Sequence, residues 1–349
     1  MEGEQQSAPQ LEPIISEKRP FWKRRLPWLI IILILILGLG TGGYFLTHKN
    51  KAPANANLAA TKPISSTPAN PNHWKDSVNP AAIPLGDGKV SSSPQAGYVD
   101  SCTTKFRGGG AQTNGSWINK AGNTWDSQTK VAVEGAVTWP AADHSEKDSA
   151  STRALTTNDL PKGFTTGIFP IAKTDPAYQY DRNPNSIGTQ SITYELPMDP
   201  AAAAVPGCTG LGPIGILSNG VVLFNALDDG GRDAVAHETQ DSCNGHPNQQ
   251  EMYHYHNIPV CIRNEAKGSS TLVGYALDGY GIYVERDAEG NLPTNADLDV
   301  CHGRTSEVTW NGKKTTMYHY DATLEYPYTL GCYHGTPTAG PSHTGTGQL

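Results

Sequence analysis

The chain has 349 residues, a net charge of -7, 37 glycines, 26 prolines, 15 tyrosines and 6 cysteines. Beyond the N-terminus its Lys and Arg are interspersed with Asp and Glu, so the clustered positive charge of a nucleic-acid-binding surface is missing. Abundant Gly and Pro, with no long run of helix formers outside one apolar segment, disfavour a helical bundle and favour short strands joined by turns.

In chain order, residues 1–25 form a basic tail that ends in Lys18, Arg19, Lys23, Arg24 and Arg25. Residues 26–47 hold no charge and include an unbroken aliphatic run over 29–37. About 20 such residues cross the hydrocarbon core as a helix. The excess of Lys and Arg before the segment predicts a cytoplasmic N-terminus and an extracytoplasmic remainder. A cleaved signal peptide has the same order of features. The basic region here is deeper, and the apolar run longer, than such a peptide needs. The expectation is a single-pass anchor in the cell membrane.

Residues 48–90 are rich in Pro, Ala, Asn and Ser and predict a disordered linker. Residues 91–205 predict the first β part of an ectodomain. Strand-like runs lie at 130–139, 163–171 and 191–196, and a polar exposed loop at 143–158. Residues 206–337 form the second part, and 338–349 predict a frayed tail. All six cysteines follow residue 100, which points to disulfides and an oxidising compartment. Cys102 with Cys208, Cys243 with Cys261, and Cys301 with Cys332 is one natural pairing; pairing across the repeats described next is the other.

The second part repeats itself, over about 213–262 and 272–333. Asn219-Gly220 and Asp278-Gly279 each sit in the middle of an apolar run and read as hairpin turns. The interval from Asn219 to Cys243 is 24 residues, and from Asp278 to Cys301 it is 23. Tyr253-His254-Tyr255-His256 is then echoed by Tyr318-His319-Tyr320-Asp321. The fold class expected is therefore mainly β: a disulfide-stapled ectodomain with an internal duplication, preceded by one transmembrane helix.

Side chains at i and i+2 of a strand share a face. His254 and His256 thus point one way, and Tyr253 and Tyr255 point into the core. In the second copy His319 and Asp321 share a face. If the two copies pack about a pseudo-two-fold axis with these strands facing, His254, His256, His319 and Asp321 form a transition-metal site suited to Zn²⁺ or Cu²⁺. His237, Asp241, His246 and His302 lie near the same landmarks and are secondary ligand candidates. The alternative is structural: histidines tied to backbone carbonyls, and Asp321 bonded to an imidazole. His237-Glu238 followed by Asp241 resembles a metalloprotease H-E-x-x-H helix with its second histidine replaced, which makes Glu238 the one candidate general base.

Together with Asn225-Ala226-Leu227-Asp228-Asp229, Cys243-Asn244-Gly245-His246-Pro247 and Leu298-Asp299-Val300-Cys301-His302-Gly303-Arg304, these segments resemble the YHYH domain family, over roughly 200–337. The resemblance implies a secreted or surface-anchored protein and names no reaction. Family members often carry a second Tyr-His-Tyr-His, whereas here the last position is Asp321. Three readings follow: a metal-binding ectodomain, a surface module that contacts glycans or proteins through Trp117, Trp125 and Trp139, and a metal-dependent hydrolase or oxidase.

Overall fold

The computed structural model describes Trp74 and residues 77–338. The expected basic tail, membrane helix and most of the linker lie outside the described residues, as does the C-terminal tail after Thr338. Among the described residues no helix is long and apolar enough to cross a membrane. The described chain is mainly β, with three disulfides: Cys102–Cys208, Cys243–Cys261 and Cys301–Cys332.

Short strands open the chain: β1 (Ile83–Pro84), β2 (Val90–Ser91), β3 (Val99–Asp100), β4 (Ile118–Asn119) and β5 (Thr124–Trp125). Ile83, Leu85, Trp117 and Trp125 are buried in one cluster with Leu227, Val235, Tyr326 and Tyr328. Residues 77–90 are therefore packed, although their composition reads as linker. Ile83 and Leu85 anchor them, with Val78 and Val90 packed against the same cluster, and the Gly86 N–H donates to Asp233 at 2.9 Å.

The polar stretch read as a loop over 143–158 is a hairpin, β6 (His144–Asp148) and β7 (Thr152–Thr157). Strand β6 is an exposed edge, so no apolar alternation marks it. Strand β7 pairs with β8 (Ile192–Pro197), near the expected 191–196. Over 130–139 and 163–171 only isolated bridges form, Val133 with Asp241 and Val137 with Thr166. Leu155, Ile192, Tyr194 and Leu196 of this three-stranded sheet pack into the main core.

That core belongs to an eight-stranded sheet. After β9 (Ala202–Gly207) come β10 (Pro213–Leu217), β11 (Val222–Phe224), a short helix α1 (Ala234–His237), β12 (Gly245–Pro247), β13 (Tyr253–Tyr255) and α2 (Val260–Glu265). The second copy supplies β14 (Ser270–Ala276), β15 (Gly281–Glu285), β16 (Gly303–Trp310) and β17 (Lys313–Asp321). A last strand, β18 (Tyr333–Gly335), pairs with β9. The sheet order is β12-β13-β11-β10-β14-β15-β17-β16. It is symmetric about the antiparallel β10–β14 pair at its centre.

Register repeats with order. Leu223 pairs with Tyr255 in a parallel ladder, as Ile282 pairs with Tyr320. Gly245 pairs with Tyr255, as Gly303 pairs with Tyr320. Both hairpin tips close through a bond from the glycine N–H, Gly220 to Leu217 and Gly279 to Ala276, each at 2.9 Å. Only the glycines take positive φ, +86° and +91°. Asn219 and Asp278 contribute through their side chains, which accept from the N–H groups of Val221 and Tyr280.

Symmetry about the centre sends the two Tyr-His-Tyr strands to opposite flanks. β13 and β17 are five strand spacings apart in the sheet order, about 24 Å. They do not face each other.

Candidate metal centre

The motif strand divides its work between two faces. On the core face, the Tyr253 hydroxyl donates to Asp241 at 2.7 Å, and the Tyr255 hydroxyl accepts from Asn219 at 3.0 Å. The second copy repeats both contacts: Tyr318 donates to Asp299 at 3.1 Å and Tyr320 to Asp278 at 2.5 Å. One tyrosine thus holds the turn before each first cysteine, and the other holds each hairpin tip.

His254 in β13, and His256 just after it, turn away from the core face. Strand β12 sets His246 directly opposite His254. The ring centroids lie 4.5 Å apart for His246–His254, 4.9 Å for His254–His256 and 5.4 Å for His246–His256. One donor atom from each ring lies within 4.8 Å of the other two. Phe224 stacks on the His254 ring at 4.1 Å. Glu238 follows α1, whose N-cap is Asp233 and whose Ala236 carbonyl accepts from the buried Trp117 indole. Its Oε2 stands 3.5 Å from His246 Nε2 and 3.4 Å from His256 Nε2.

The outer nitrogens fix the tautomers of His254 and His256. His254 Nδ1 meets the Met252 carbonyl at 3.2 Å, and His256 Nδ1 meets the Asn225 carbonyl at 2.5 Å. A carbonyl only accepts, so each Nδ1 carries the proton and each neutral ring keeps a bare lone pair on Nε2. Those two Nε2 atoms face each other at 3.1 Å. Among the described residues His246 Nε2 and Glu238 Oε2 have no hydrogen-bond partner. Neither ring nitrogen of His246 has a partner among the described residues, so no hydrogen bond fixes its tautomer. The bare Nε2 atoms of His254 and His256 face each other with His246 Nε2 and Glu238 Oε2 beside them in a buried place. Nδ1–H bound to a carbonyl and Nε2 turned inward is the arrangement metal-binding imidazoles adopt.

Electrostatics agree. Burial, then the neighbouring His254 and His256, pushes His246 well below the usual histidine range. Burial, then His256, does the same to His254, and burial lowers His256 to about 4. All three are neutral at pH 7, as ligands must be. Burial, reinforced by Asp228, Asp181 and Asp229, pushes Glu238 well above the usual carboxylate range. A bound cation would reverse that shift. Tetrahedral donors at ~2.0–2.1 Å from zinc stand about 3.3 Å apart. The contacts of 3.1, 3.4 and 3.5 Å are near that edge, and the three imidazoles, without Glu238, form the set whose donor atoms all lie within 4.8 Å of one another.

The four residues expected to share one centre fall into two clusters. His254 and His256 join His246, while His319 and Asp321 join Glu285 at the other flank. The sequence showed two copies but not the strand order, and the order separates them. The other candidates have different partners. Asp241 accepts from Gly167, Cys243, Gly245 and Tyr253, so its oxygens are committed to the turn. His237 Nε2 meets Asp87 at 2.9 Å. His302 Nε2 meets Thr323 Oγ1 at 3.0 Å. His246 was legible only as a secondary candidate. The signal that raises it is the strand pairing that puts it across from His254. Trp117 and Trp125 are core residues, and Trp139 is half-buried with its indole N–H donated to Thr166.

Residues 193–294 match the profile of a family described as YHYH protein. The match contains β13 with its Tyr-His-Tyr-His segment and ends before the second copy's motif. No curated protein and no solved structure matches the chain. The chain therefore carries a YHYH protein family domain over residues 193–294.

Proposed function

We propose that this protein is a membrane-anchored, extracytoplasmic metal-binding protein whose ion is held by His246, His254 and His256, with Glu238 as the fourth ligand. The observation that carries the reading is the 3.1 Å approach of the buried Nε2 atoms of His254 and His256, with His246 Nε2 and Glu238 Oε2 beside them and without a hydrogen-bond partner among the described residues. Three imidazoles and one carboxylate suit Zn²⁺ or Cu²⁺. The basic and apolar N-terminal segments support the anchor, and three disulfides support an oxidising compartment.

The test is metal content of the purified full-length protein. One equivalent of Zn²⁺ or Cu²⁺ is expected, and His254→Gln with His256→Gln should abolish it while cooperative unfolding persists. Less than a tenth of an equivalent, with no thermal shift on adding either ion, would sink the proposal. At a hundredfold excess over Kd the ion should stabilise the fold by about 2.7 kcal/mol.

A second reading makes the protein a metal-dependent hydrolase, with Glu238 as general base beside a metal-bound water. Its support is the same short approach of Glu238 to two imidazoles. Glu238→Gln separates the two readings. Weakened metal binding identifies a ligand; retained metal with lost turnover of a hydrolysable ester identifies a base. A surface recognition role has less support, since Trp117 and Trp125 are buried.

A further inference from the structure

The second copy repeats the scaffold of the first but changes its donors. Gly303 pairs with Tyr320 as Gly245 pairs with Tyr255, so Arg304 stands at the position of His246. By the same register His319 matches His254, and Asp321 matches His256. His319 Nδ1 donates to the Met317 carbonyl at 3.1 Å, the bond that His254 makes to Met252. Tyr283 meets the His319 ring edge-on at 5.1 Å, at the position where Phe224 stacks on His254.

Glu285 completes the second cluster. His319 Nε2 points between Glu285 Oε2 at 3.6 Å and Asp321 Oδ2 at 3.7 Å. It is fully buried and, among the described residues, has no hydrogen-bond partner. Arg304 sits on the two carboxylates: its Nε donates to Asp321 at 3.0 Å and its Nη2 to Glu285. The Trp74 ring covers its guanidinium at 4.2 Å. A fixed positive charge is thus bonded to the acceptors here, whereas in the first copy the buried Lys130, whose charge acts on Glu238, His246 and His256, is bonded instead to the Val235 carbonyl and Gln240 Oε1.

We infer that Arg304 is the built-in cation of a second, masked divalent-cation site formed by Glu285, His319 and Asp321. The wild-type chain then holds one ion, in the first copy, and removing the guanidinium opens a second site. The inference rests on the metal reading of the first copy for the matching of positions. Two carboxylates and one imidazole are harder donors than three imidazoles, and they suit Zn²⁺, Mn²⁺ or Fe²⁺. A guanidinium held by two carboxylates and stacked on an indole is not displaced by a metal at ordinary concentration.

The experiment is equilibrium dialysis of the full-length protein against Zn²⁺, read by elemental analysis. Wild type should bind one equivalent and Arg304→Ala two. Adding His254→Gln and His256→Gln to Arg304→Ala should return the count to one. Two equivalents in wild type, or one in folded Arg304→Ala, overturns the inference and leaves the first site standing. No zinc in wild type with one equivalent in Arg304→Ala sinks the first-copy reading instead. Should Arg304→Ala not fold, Arg304→Gln takes its place. Folding of either variant only when zinc is added supports the inference. Failure of both with and without zinc overturns it, because the guanidinium would then be a structural charge that no metal replaces.

Discussion

At the scale of single residues, the motif works because adjacent side chains of a strand point to opposite faces. The tyrosines bury their rings and hand their hydroxyls to turn residues, while the histidines are left with inward Nε2 atoms. This division was legible in the sequence, as period-two alternation requires it. The role of Arg304 was not, since a lone arginine after a glycine carries no sign of what it faces. His302 offers a test whose imidazole belongs to neither cluster, its Nε2 meeting Thr323. It takes a positive φ of 71°, as Asn244 does at 65° in the first copy, and burial lowers its pKa to about 3. A histidine with a depressed folded pKa takes up its proton first in the unfolded chain. Its contribution to stability is intact above about pH 6.5 and is lost as pH falls toward 3. At pH 5 the loss is about 2 kcal/mol. His302→Asn should fold, and in chelator it should lose about 1–2 kcal/mol less than wild type between pH 7 and pH 5 by denaturant unfolding. Equal losses would show that His302 does not titrate as burial demands.

At the scale of elements, the duplication was readable because turn, cysteine and motif recur at nearly equal spacing. Their placement was not, because spacing along the chain does not specify which strands pair at the centre. The central pair is β10 with β14, so each copy extends outward and its motif strand ends near a flank. Polar strands were also hidden: β6 shows no apolar alternation because neither of its faces is deeply buried. The hairpin tips make a prediction at this level. Gly220 and Gly279 take positive φ, and an added Cβ would lie 2.7 Å from His144 Cβ and 2.6 Å from Pro197 Cγ respectively. Gly220→Ala and Gly279→Ala should each destabilise by about 1–3 kcal/mol, from left-handed backbone strain and overpacking. Chemical denaturation of each variant measures this. A loss below ~0.5 kcal/mol would mean that the tips relax without strain.

For the whole molecule, the N-terminal segment and the disulfides tie distant parts to the two clusters. Gly86 bonds Asp233, which caps the helix leading to Glu238, and Trp74 covers Arg304. Composition hid this, because a few anchoring groups outweigh a polar background. Cys243–Cys261 closes a loop with a sequence separation of 18 that carries His246, His254 and His256. Replacing both cysteines by serine should cost about 3 kcal/mol of stability by the chain-entropy estimate. It should also weaken metal binding, because the two ligand strands would be less restrained. Unchanged stability in denaturant would mean that the bridge does not constrain the unfolded chain.

The most direct measurement is anomalous diffraction at the zinc and copper edges from crystals of the protein grown with each ion. The account predicts a single peak ~2.0–2.1 Å from Nε2 of His246, His254 and His256, with Glu238 Oε2 beside it. Density for the three rings with no anomalous peak between them, or a peak held only by Glu285, His319 and Asp321, would contradict it.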